Sequence, residues 1–226
     1  MIYLIYPFAC LLYLEQSITS LGSGIKKTLH PIEQNRKDVV AKRMAWRAAQ
    51  STMDINKLVF LDESSINTGM TRLYGRALSD ERVVDYTPDV RFERTSLLSS
   101  IRANGEMVPL IFEGSLNGDL FKEYISKFLA PTLCNGDIVI MDNLTSHKVK
   151  DALTPILDAG ASVLFLPPYS PDLNPIEMMW SKIKAYLRMV KARSKEFLEV
   201  AISLALDRIS SSDILAWFSV NGYGTH

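Results

Sequence analysis

The sequence predicts an α/β fold built on a mixed sheet flanked by helices, and three observations carry that prediction. Short apolar runs recur at 57–61, 137–141 and 162–166, each the length of a buried strand. The earlier strand candidates follow one another as a hairpin series, with Asn104-Gly105 as a strong hairpin turn. From residue 119 onward strands and helical patterns alternate, the order that brings strands parallel.

Size and composition fit that class. The chain has 226 residues, 47% apolar and 22% charged, which is enough core for one large domain and excludes disorder, collagen and coiled coil. Cys10 and Cys134 alone cannot build a disulfide framework or a Cys-rich zinc site, so a reducing interior suits the chain. The formal net charge is zero, which at first argues against a nucleic-acid partner. Divided by region, it becomes 7 basic against 4 acidic side chains over 1–56, 11 against 16 over 57–175, and 7 against 5 over 176–226. An acidic middle thus lies between two basic flanks. It suits either an ordinary solvated surface or carboxylates gathered to hold metal ions.

The elements follow in order. Residues 1–14 are apolar apart from Pro7, too short for a membrane span, and lack the positive start of an export signal. They are expected to be a buried segment or a misplaced start. Residues 22–54 read as a polar connector and one helix, with Asp38 near its start and Val39, Val40, Ala41, Met44, Ala45 and Ala48 within it. Strands are expected at Lys57–Leu61, Leu73–Ala77, Ser96–Arg102, Met107–Glu113, Asp137–Met141 and Ser162–Leu166. Helices are expected at Asp119–Leu129, His147–Leu157 (closed by Gly160), Asn174–Val190 and Lys195–Ile209.

Two of the strands end on an acid, Asp62 and Asp142. In open α/β sheets ligands gather beyond the carboxyl ends of strands, although one such Asp is more often a turn or cap residue. Glu177 is a third candidate with two readings. It stands three residues after Asn174, with Pro175 between them, as in a capping box. It also lies off the apolar face of Ile176, Met179, Trp180, Ile183, Leu187 and Val190, in a stripe with Ser181, Lys184, Arg188 and Lys191. That stripe suits a metal site beside a polyanion track, or a salt-bridged solvent face. Three carboxylates on separate elements are a sensible ligand set for two divalent ions in phosphoryl transfer. The dispersed His30, His147 and His226 offer no zinc site. Serine-hydrolase, P-loop and dinucleotide motifs are absent.

VFLDESS around Asp62, DIVIMDNLTSHK around Asp142 and LFLPPYSPDLNPIEMMWSKIK around Glu177 resemble the catalytic domain of DDE transposases, nearest to the bacterial insertion-sequence branch of the mariner superfamily. The 34 residues between Asp142 and Glu177 match that branch, and LPPYSPDLNPIE is its most specific string. The likeness extends from about Lys26 to Tyr223. It implies a ribonuclease H-like fold with Asp62, Asp142 and Glu177 as the catalytic, metal-binding triad. The implied cofactor is two divalent ions, Mg with Mn as substitute. The implied reaction is hydrolysis of a phosphodiester at transposon ends, followed by attack of the freed 3′-hydroxyl on target DNA.

Further expectations rest on the same resemblance. Glu63, Asn143 and His147 match family-typical positions and are expected to support the triad or position DNA. Arg72, Arg76, Lys184, Arg188 and Lys191 are expected to contact the DNA backbone, with Lys182, Arg193 and Lys195 nearby. The partner would be double-stranded DNA, both inverted repeats and target, engaged by a homodimer in a cytoplasmic, nucleoid-associated setting without a membrane. The expected divisions are an apolar segment at 1–25, either a remnant of or a replacement for the family's helix-turn-helix region, a connector and helix at 26–56, and the catalytic domain at 57–226. The alternative is a non-catalytic DNA-binding remnant of a decayed insertion sequence.

Overall fold

The structure is a computed structural model and describes residues 31–72, 74–75, 77, 81–87, 92–142 and 151–224. The expected apolar segment at 1–25, together with Arg76, Asn143 and His147, lies outside the described residues. From Glu33 onward the chain forms one compact unit.

Helix α1 (Lys37–Gln50) is the expected early helix, with Asp38 in its first turn where the helix dipole favours an acid. It precedes β1 (Leu58–Asn67), the central strand. The strands β2 (Arg94–Arg102) and β3 (Leu110–Glu113) complete the antiparallel half, and β4 (Ile138–Met141) and β5 (Ser162–Phe165) the parallel half. The sheet order is β3-β2-β1-β4-β5: β1 pairs antiparallel with β2 and parallel with β4. This is the mixed sheet the sequence predicts. The Asn104-Gly105 turn closes the β2 hairpin, with Gly105 at φ +95° and its N–H donating to the Arg102 carbonyl.

Two expectations change. The described positions around Leu73–Ala77 are irregular rather than a strand, because the excursion between β1 and β2 leaves the sheet at Thr68. The helix expected over His147–Leu157 is reduced among the described residues to α3 (Thr154–Asp158), where Pro155 suits a first turn. Helix α2 (Gly118–Tyr124), capped by the Asn117 side chain, runs on as a single π turn through Leu129.

Alternation along β1 divides the core. Leu58, Phe60 and Ile66 face α4 (Ile176–Val190), α5 (Lys195–Leu206) and α6 (Ser211–Val220), while Val59 and Leu61 face α2 and α3. Helix α4 buries Ile176, Met179, Trp180, Ile183 and Leu187 as its spacing predicts, each worth about 2 kcal/mol when removed from water. Helix α6 was not anticipated. Its Ser210/Asp213 capping box was the available signal, and Trp217 and Phe218 bury it against Phe60. Among the described residues, no helix is long and apolar enough to cross a membrane.

Candidate active site

The parallel register Phe60↔Ile140, carried two residues further, brings Asp62 level with Asp142. Both share parity with core residues of the α4 face, so both turn toward α4. Glu177 sits in the first turn of that helix. The three carboxylates therefore stand at two neighbouring strand ends and one helix start, near enough for Glu177 and Asp142 to act on Asp62.

Asp62 is buried, at 7% exposure. Burial, then the negative charges of Glu177 and Asp142, push its carboxyl up to about 7. Hydrogen bonds work against that rise: Oδ1 accepts from the Glu63 N–H at 2.8 Å, and Oδ2 from Trp180 Nε1 at 3.3 Å. Asn174 Nδ2 also donates to Oδ2, at 3.2 Å. Glu177, at the accessible edge, is likewise raised, by partial desolvation and by Asp142, with Lys184 opposing. Asp62 thus feels both of the other carboxylates, and Glu177 feels Asp142 as well as Lys184.

A divalent cation fits this donor set. All three groups are hard oxygen donors, and a cation would offset the burial and the repulsion that raise Asp62. Among the described residues, no three His, Cys, Asp or Glu side chains stand close enough to form a ready-made cage. Magnesium does not require one, because it keeps several waters and binds through one or two carboxylates.

The capping-box reading of Glu177 fails. Helix α4 has no side-chain cap: Asn174 reaches Asp62 instead, and only its carbonyl accepts from the Glu177 N–H, at 3.1 Å. Sequence reasoning missed this role of Asn174, and that of Trp180. The signal for Trp180 was a polar indole N–H placed on an otherwise apolar face, which needs a partner once buried.

The loop before α4, Leu166–Pro175, is held at several points. Tyr169 stands in the left-handed region at φ +55°, a conformation costing about 1–2 kcal/mol. Its carbonyl accepts from Gln34 at 2.6 Å, Arg43 pairs with Asp172, and the Tyr223 hydroxyl donates to the Leu173 carbonyl at 2.8 Å. Trp46 of α1 donates in turn to that hydroxyl.

The remaining candidates are dispersed. Alternation along β1 turns Glu63 to the opposite face from Asp62, and its contact with the site is its backbone N–H. Arg72 is exposed in the β1–β2 excursion, while Lys184 and Arg188 are half-buried on α4. Lys191 grips both oxygens of Asp85, at 2.5 and 2.6 Å. Lys182 pairs with Asp213, Lys195 with Glu113, and Arg193 donates to the Thr68 and Met70 carbonyls. Those cations are engaged within the fold.

A model of the DDE superfamily endonuclease family matches residues 57–199, a span that contains all three acids. No curated protein matches the chain. The catalytic domain of Mos1 mariner transposase superposes with a TM-score of 0.57 at 14% identity, covering 87% of this chain and 91% of that one. The Mos1 strand transfer complex gives 0.65 at 13%, and the Mos1 mariner paired end complex with Mn gives 0.66 at 15%. Each covers 92% of this chain, which spans 65% and 66% of those longer chains. Identities this low establish the fold, a ribonuclease H-like mixed sheet flanked by helices. With the family match running over more than half its length and through Asp62, Asp142 and Glu177, this chain belongs to the DDE superfamily endonucleases.

Proposed function

We propose that the chain is a transposase catalytic unit that hydrolyses DNA phosphodiesters at transposon ends and joins the freed 3′-hydroxyl to target DNA. What supports this reading is that Glu177 and Asp142 both act electrostatically on the buried Asp62, and that all three acids lie within the family match. The Mos1 complexes hold paired transposon ends and were solved with Mn and with Mg, which supports DNA and divalent metal here too. We assign the catalytic domain to 57–226 and the connector and helix to 26–56. Two metal ions, a homodimer and a cytoplasmic, nucleoid-associated setting complete the proposal.

Asp62, Asp142 and Glu177 would hold the metal, Asp62 from a fixed, buried position and Glu177 from the accessible edge where DNA enters. When bound, divalent metal supplies an activated oxygen nucleophile and charge stabilisation at the phosphorus. Lys184, two turns after Glu177 on the same stripe, would meet a neighbouring phosphate. Trp180, Asn174 and the Glu63 N–H orient Asp62.

The test is cleavage of DNA bearing the element's inverted repeats, with Mg or Mn. Glu177→Gln and Asp142→Asn should abolish nicking while leaving DNA binding in place. Undiminished cleavage by both variants would overturn the proposal. DNA binding without cleavage by the parent chain would support the non-catalytic alternative instead.

A further inference from the structure

Two side chains that bracket Glu177 in sequence reach back to the same oxygen of Asp62. Asn174, three residues before Glu177, donates from Nδ2, and Trp180, three residues after it, donates from Nε1. Both donors are at least nine-tenths buried, and Asn174 also accepts the Glu177 N–H on its carbonyl. The start of α4 therefore closes around Asp62 from both sides of Glu177. With Asp62 ionised, as metal binding requires, the Asn174 amide presents Nδ2 to it, because the flipped amide would set its oxygen against the carboxylate. Among the described residues, that orientation leaves Asn174 Oδ1 buried without a hydrogen-bond partner.

We infer that Asn174 and Trp180 are positioning residues that fix Asp62 against Glu177 for divalent-metal binding. The inference rests on the proposed metal-dependent function. Both donors are neutral, so they orient the carboxylate without cancelling the charge a cation needs. Both also leave Oδ1 of Asp62 bonded to a single backbone N–H. Metal-site residues of this supporting kind typically alter affinity by about 10-fold or more when removed.

The test measures Mn2+ binding to the intact chain without DNA, by titration calorimetry, alongside melting temperature. Trp180→Phe removes the indole N–H with little loss of volume, and Asn174→Ala removes both amide atoms. Each should weaken Mn2+ binding about 10-fold, and cleavage should recover as Mn2+ is raised. The Trp180 indole N–H resonance, identified by its loss in Trp180→Phe, should shift when Mg2+ is added. If the parent chain binds Mn2+ and both variants bind it equally well, or if they lose only melting temperature, the positioning role is wrong. If the parent chain binds no Mn2+, the metal-dependent reading itself falls. Should Asn174→Ala fail to fold, the Trp180→Phe affinity and the resonance shift still decide the matter.

Discussion

Arg43 of α1 forks onto both carboxylate oxygens of Asp172, at 2.9 and 2.7 Å, and also donates to Ser170 Oγ at 2.7 Å. A helix that precedes the whole sheet thereby braces the loop leading into Glu177. Desolvation acts to raise the Asp172 carboxyl, but the hydrogen bonds and charge of Arg43, with the Asp172 backbone N–H and Arg47, together outweigh it and hold the group below its ordinary range. The pair is partly screened from solvent, with the Arg43 side chain at 14% exposure, so it contributes more than a surface ion pair would.

Arg43→Ala should therefore lower stability by roughly 2 kcal/mol and reduce cleavage, since the strained Tyr169 and the Asn174 donor both depend on this loop. Arg43→Lys should rescue little, because a lysine cannot supply two parallel donors. Thermal melting and a cleavage assay check both. An Arg43→Ala protein with unchanged melting and activity would show that the loop holds itself.

Asp62 makes the metal-free protein sensitive to pH in an unusual direction. Its folded carboxyl titrates at about 7 against an ordinary value of 3.8, so between those values the folded state binds the proton more strongly. Its contribution to stability is thus fully present below about pH 4 and is lost as pH rises toward 7, by up to roughly 4 kcal/mol. Asp213 has the opposite sign. Its hydrogen bond from Lys182, against a smaller desolvation effect, lowers it to about 2, and its contribution disappears as pH falls from about 4 to about 2. Asp62→Asn should flatten the upper limb and raise the melting temperature near neutral pH while abolishing cleavage. Melting curves in a chelator across pH 4–8 decide it, and an unchanged slope in the variant would refute the assignment.

Much of this site was legible because it is written in local patterns. The β1 and β4 runs ending at Asp62 and Asp142 fix two strand exits, and the spacing of Ile176, Met179, Ile183 and Leu187 fixes the buried face of α4. What escaped was long-range. Asn174 reads as a helix cap from its neighbours, and only the fold shows that Asp62, 112 positions away, claims its side chain. Lys191 reads as a free cation on a stripe until the β1–β2 excursion brings Asp85 to it. Strand candidates also overreached at Leu73–Ala77, where the described Tyr74, Gly75 and Ala77 belong to no strand.

A second internal ion pair ties the antiparallel half of the sheet to the parallel half. Arg102 at the end of β2 donates to Asp137 Oδ2 at 2.7 Å, and the same oxygen accepts the Cys134 N–H. Both side chains are more than nine-tenths buried, so removing Arg102 leaves Asp137 charged in a dry setting, with the Cys134 N–H and a distant Lys57 at 3.9 Å. Arg102→Ala should cost about 3–5 kcal/mol, and Asp137→Asn should cost less because an amide can still accept both donors. Chemical denaturation measures the difference. Equal, small losses would mean that the pair is hydrated in solution.

The cations on α4 predict a graded response to salt. Lys184 and Arg188 share the stripe that begins at Glu177, and among the described residues neither is held in a salt bridge within 4 Å. Lys191, one turn further, is already neutralised by Asp85 at 2.5 Å. A cation that meets a phosphate releases about one counterion, so Lys184→Ala and Arg188→Ala should each reduce the slope of log affinity against log salt by about 1. Lys191→Ala should change it by much less, because any phosphate must first displace the Asp85 carboxylate. Asp85→Ala supplies the converse: freeing Lys191 should strengthen binding at low salt and steepen the slope. Fluorescence anisotropy with a DNA duplex between 50 and 200 mM salt reads all four. A slope that falls as far for Lys191→Ala as for Lys184→Ala would place the DNA track along the excursion between β1 and β2 rather than beside Glu177.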